Sequence, residues 1–149
     1  MLNLKLLIRI ILLLPSLLLA QGCQSTVAET QEQQQVYEQA KQWYLQGDLL
    51  TAEQQLNRLH LRQLDTPQSW RLLGNIQFRQ QRLAAAEQAY QQALRYDAND
   101  RLSWHNLALV RLRQTTATLM QARAELGELS AGDAVLLDQL LKLQRVALP

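Results

Sequence analysis

"WRLLGNIQFRQQRLAAAEQAYQQALRYDAND", residues 70–100, decides the fold. It opens on Trp70, and a second tryptophan, Trp104, stands at an interval of 34 from it (104 − 70). One step back by the same interval stands Val36, also apolar. The interval also links Tyr44, Phe78 and Leu112, then Leu49, Leu83 and Ala117, then Ala52, Ala86 and Met120. Leu56, Tyr90 and Ala124 continue it, as do Leu59, Ala93 and Gly127. Self-similarity at a period of this length marks stacked supersecondary units, each too small to bury its apolar face alone. The expected fold class is all-α.

With Trp70, Leu73, Gly74, Phe78, Ala86, Tyr90 and Ala93 in register, this stretch resembles a tetratricopeptide (TPR) repeat. The resemblance extends over about residues 33–134 and implies a helix-turn-helix solenoid of about three repeats: 33–66, 67–100 and a degenerate 101–134. In such repeats helices A and B cross closely. Gly74, with Ala40 and Ala108 as counterparts, removes bulk from helix A; Ala52 and Ala86 do so from helix B. Trp70, Leu73, Tyr90, Trp104 and Leu107 are expected to fill the gaps between repeats. Thr66-Pro67 predicts an N-cap and a proline at the first helical position. Asp100 predicts the next cap, and Gly47-Asp48 the first A-to-B turn. Repeat one carries Gln39 where Leu is usual. Repeat three has a strong first helix, "LSWHNLALVRLRQ" (102–114), but its turn, "TTAT" (115–118), lacks glycine, and Met120 stands for the small alanine. A last amphipathic segment, 135–149, with Leu136, Leu137, Leu140 and Leu141 facing inward, reads as a C-terminal capping helix, because the last unit of a stack exposes a face; the alternative is a partner-binding helix with its leucines partly free.

The N-terminal end has a different character. Lys5 and Arg9 precede an apolar run from Ile10 to Ala20, interrupted by Pro15 and too short for a comfortable membrane span. It ends at "LLAQGC" (18–23), which holds the only cysteine, Cys23. A lone cysteine can form no intrachain disulfide, and its polar neighbours, Gln21, Gly22, Gln24 and Ser25, do not describe a core. Residues 1–22 resemble a bacterial lipoprotein signal peptide with its lipobox, departing from it at Ala20 and Gln21. The resemblance implies cleavage before Cys23, a diacylglycerol on Cys23 and an acylated N-terminus. Two or more acyl chains hold a protein on a bilayer where one binds only reversibly. With Gln24 rather than Asp beside the cysteine, the resemblance places the chain at the periplasmic face of the outer membrane. Residues 23–32 are expected to form a flexible tether.

Charge excludes some partners. The chain has 15 Lys+Arg against 13 Asp+Glu. Lys5 and Arg9 lie in the signal, which leaves 13 (15 − 2) against 13. The mature chain is formally neutral, and no nucleic-acid-binding face is implied. No catalytic motif stands out either. His60 and His105 have no carboxylate, cysteine or serine spaced for a triad or a metal cage, and there is no phosphate-binding loop. The expectation is a protein that is not an enzyme and uses no cofactor or metal.

What remains is a binding surface. The TPR resemblance implies that helix A residues at fixed repeat positions line a concave groove. In this chain those are Gln34, Tyr37, Lys41, Tyr44 and Leu45; Gln68, Arg71, Asn75, Phe78 and Arg79; and Leu102, His105, Leu109, Leu112 and Arg113. Arg71, Asn75 and Asn106 resemble three of the five positions of the family's carboxylate clamp, while the other two fall on Leu136 and Leu140, which cannot donate. The groove suits a peptide or helix from another protein, and so short a stack also admits a homodimer. Lipobox plus repeats resembles the pilotins and tight-adherence pilus lipoproteins. It implies a lipid-anchored scaffold that helps a pilus or secretion machine assemble, with a secretin or pilus subunit as partner. The alternative is an adaptor that recruits cell-wall hydrolases or proteases.

Overall fold

The computed structural model describes the backbone of residues 22–146 and the side chains of residues 29–144. The expected signal residues 1–21, the Cys23 side chain and residues 147–149 lie outside the described residues. Among these the chain is all-helical: α1 (Gly22–Gln46), α2 (Leu49–Leu61), α3 (Pro67–Arg79), α4 (Leu83–Tyr96), α5 (Arg101–Leu126) and α6 (Ala131–Val146). Each helix packs on the next in chain order, and α1·α3 and α3·α5 also touch.

Punctuation along the chain explains most boundaries. Gly47 turns α1 into α2 with φ of 85°, and Asp48 caps α2 by accepting from the Thr51 N–H at 3.0 Å. Thr66 and Ser69 form a reciprocal capping box at the start of α3, with Pro67 at its first position. Asp100 caps α5. The starts of α2 and α4 are separated by the repeat interval (83 − 49), as are those of α3 and α5 (101 − 67).

The crossing inside the second hairpin is close. A Cβ added at Gly74 would lie 2.5 Å from Cε1 of Tyr90. Tyr90 is itself fully buried, and its hydroxyl donates to Asn75 Oδ1 at 2.8 Å. The core runs along the chain of helices as two clusters. Ala40, Ala52, Leu56, Leu72, Leu73, Ile76 and Ala89 join the first hairpin to the second. Ala86, Tyr90, Leu107 and Val110 join the second to α5.

Several expectations need correction. The tether expected over 23–32 is helical from Gly22 onward; residues 24–46 contain no glycine or proline to stop a helix, and Gln, Glu and Ala sustain one. The third hairpin does not form, because α5 runs unbroken through "TTAT". In the two hairpins that do form, a residue of positive φ makes the turn: Gly47 and, one interval on (81 − 47), Gln81 at 61°. The next step lands on Thr115, whose branched Cβ disfavours that backbone region. Thr115, Thr116 and Thr118 instead donate their hydroxyls to the carbonyls of Arg111, Leu112 and Gln114, each one helical turn back, and stay helical. With no B helix to cross, Ala108 and Met120 are exposed. The final helix starts at Ala131 rather than 135 and folds back on α5. It buries Leu137 and Leu140 but leaves Leu136 and Leu141 exposed.

A further correction concerns Trp104, which is 52% exposed and donates its indole N–H to the Ala98 carbonyl at 2.9 Å. Trp70, by contrast, lies flat on His60, with ring centroids 3.9 Å apart. The residue equivalent to His60 is Leu94 (60 + 34), and its side chain packs into the Tyr90 cluster. Leu94 thus offers Trp104 no ring to lie on.

His60 ties the first hairpin to the second. Its Nε2 lies 3.0 Å from Ser69 Oγ. Ser69 Oγ also lies 2.9 Å from the Thr66 carbonyl. Burial holds the His60 pKa below its ordinary value, against the opposing charge of Asp65. The unfolded chain therefore takes up a proton near pH 6.5 while the folded chain resists it, and stability falls as pH drops below 6.5. His60→Gln should flatten the fall in melting temperature between about pH 6.5 and 5. Carboxylates held low, such as Asp65 and Asp100, add acid sensitivity only below about pH 5.

Candidate partner-binding face

α3 touches both α1 and α5, and four of the residues expected at the groove pair across these two seams, Arg79 with Tyr44 and Arg113 with Phe78. On α1, Tyr37 and Tyr44 pack half-buried against the first core cluster, and Lys41 pairs with Glu38 at 3.5 Å. At the α1–α3 seam the Arg79 guanidinium lies over the Tyr44 ring, 5.0 Å from its centroid, and donates to the Tyr44 carbonyl at 3.2 Å. At the α3–α5 seam the Arg113 guanidinium lies 4.4 Å from the centroid of Phe78 and donates to Gln81 Oε1 at 3.3 Å. His105 on α5 is exposed, and Leu109 is half-buried.

Arg71, Asn75 and Asn106 are brought together, but they are engaged within the protein. Arg71 pairs with Asp100, the same carboxylate that accepts from Ser103 Oγ at 2.7 Å and from the Leu102 N–H at 3.2 Å. Burial opposes ionisation of Asp100. The hydrogen bonds from Ser103 and Arg71 and the Arg71 charge outweigh it, holding the carboxyl below its ordinary range. Asn75 Oδ1 accepts both from Tyr90 and, at 2.9 Å, from Asn106 Nδ2. The arginine that would grip a ligand carboxylate already holds one of the protein's own. Of the remaining clamp positions, Leu140 is buried and Leu136 is exposed on α6.

Sequence reasoning assigned Asp100 a capping role and missed its second role as the partner of Arg71. It also missed the ring–guanidinium stacking, although the signal was present: aromatic rings at 44 and 78 and arginines at 79 and 113 share the repeat interval.

Among the described residues no group of three or more His, Cys, Asp or Glu could hold a metal ion. None of the described helices is long and apolar enough to cross a membrane. No protein-family model and no curated protein matches the chain.

Proposed function

We propose that this chain is a TPR-like protein-binding scaffold, anchored through a lipid on Cys23 to the periplasmic face of the outer membrane. There it helps assemble or localise a pilus or secretion machine. The observation that carries this reading is the α1–α3–α5 face. Along it two ring–cation pairs, Tyr44 with Arg79 and Phe78 with Arg113, stand one repeat interval apart, half-buried or exposed. Such a face can grip an extended segment or helix of another protein through apolar contacts and charge-assisted hydrogen bonds. The apolar run and lipobox-like sequence before Cys23 support the anchor.

The test is a crosslinking pull-down from native envelopes with three full-length proteins: unaltered, Cys23→Ser, and Phe78→Ala with Arg79→Ala. Arg71 is left intact because substituting it would strand Asp100. The reading predicts a secretin or pilus subunit enriched with the unaltered protein, reduced without Cys23, and lost with the face variant at unchanged helicity. Capture that survives the face variant would overturn the groove. Enrichment of cell-wall hydrolases instead would replace the assembly role with the adaptor role.

A further inference from the structure

We propose that Arg79 and Arg113 make the face selective for an acidic protein segment bound in extended form, with carboxylates on alternate residues. The proposal rests on the protein-binding reading above and names the chemistry of the partner. Arg62, Arg71, Arg82 and Arg111 each pair with a carboxylate of the protein. Arg79 and Arg113, like Arg58, Arg95, Arg101 and Arg123, have no carboxylate partner among the described residues; what sets these two apart is that each lies over an aromatic ring of the preceding A helix. The rings Tyr44 and Phe78 are one repeat interval apart (78 − 44), and so are the arginines (113 − 79).

Each guanidinium sits over its ring. One donor of each is fixed, by the Tyr44 carbonyl or by Gln81, and a guanidinium has about five. Two cations are thus held in place with spare donors, so a ligand carboxylate meets little ordering cost. The two arginines stand on α3 and α5, which touch. An extended chain advances about 3.3 Å per residue and turns alternate side chains to one face, so acidic residues at alternate positions present a row of carboxylates to both guanidiniums.

The experiment titrates the full chain into a fluorescein-labelled peptide of alternating Glu and Leu, read by anisotropy. Counterparts with Gln or Lys in place of Glu serve as controls. The expected result is saturable, salt-sensitive binding of the Glu peptide alone, weakened about tenfold by Arg79→Gln and again by Arg113→Gln. Arg79 is exposed and Arg113 half-buried, and circular dichroism checks that the fold survives both substitutions. Glu-peptide binding unchanged by both variants would overturn the proposal. So would vesicles of phosphatidylglycerol binding in an Arg79- and Arg113-dependent way while the peptides do not. Equal binding of the Glu and Gln peptides would remove the acid selectivity and leave the groove standing. The groove itself fails separately, if envelope capture survives Phe78→Ala with Arg79→Ala.

Discussion

Gly74→Ala is expected to lower the melting temperature by roughly 10 °C, a net loss of about 2 kcal/mol. In an open helix interior the same change would stabilise by about 1 kcal/mol, because alanine is the better helix former. Here the added methyl would meet Tyr90 at 2.5, 2.6 and 2.9 Å, and Tyr90 is 1% exposed. The ring cannot swing into solvent without giving up its place in the second core cluster and its bond to Asn75. Overpacking of this kind typically costs about 1–3 kcal/mol, and the lost hydrogen bond about 1 more, so the clash outweighs the gain in propensity. A double-mutant cycle with Tyr90→Leu locates the cause: in that background Gly74→Ala should be neutral or stabilising. A stabilising effect in the unaltered chain would show that the two helices do not cross at this point.

Trp70→Ala is the second large effect, about 3 kcal/mol, at the low end for a truncated aromatic because the side chain is half-buried. It removes the stack on His60, the indole bond to Asp65 at 2.7 Å, and contacts to the first core cluster. Trp104→Ala, the same change one period later, should fall within about 0.5 kcal/mol, as for other exposed positions. Thermal unfolding of both variants separates them, and equal losses would contradict the arrangement around Trp104. Uncovering His60 should also return its pKa toward the ordinary value, so the Trp70→Ala chain should lose much of its acid sensitivity below pH 6.5.

That contrast shows what the sequence made legible. The repeat interval located the two hairpins, helped by Gly47, Thr66-Pro67 and Asp100 at one turn and two caps, while the turn at Gln81 carried no such mark. The interval alone could not determine whether the third unit turns. That depended on Thr115, a residue that satisfies its hydroxyl inside a helix and resists positive φ. The face followed the same division. Tyr44, Phe78, Arg79 and His105 could be placed on it from register. The engagement of Arg71 by Asp100 could not, because it joins the middle of one helix to the cap of another through a loop whose path only the fold defines.

The central claim is that a partner docks on the α1–α3–α5 face. The most direct measurement places a photo-crosslinking amino acid singly at four positions of the full-length protein and irradiates native envelopes. Lys41 and His105 sit on the proposed face, and Asn57 and Gln88 are exposed on α2 and α4. Discrete protein adducts from positions 41 and 105, and none from 57 and 88, are the predicted result. Adducts confined to 57 and 88 would contradict it and move the binding surface to the opposite side of the molecule.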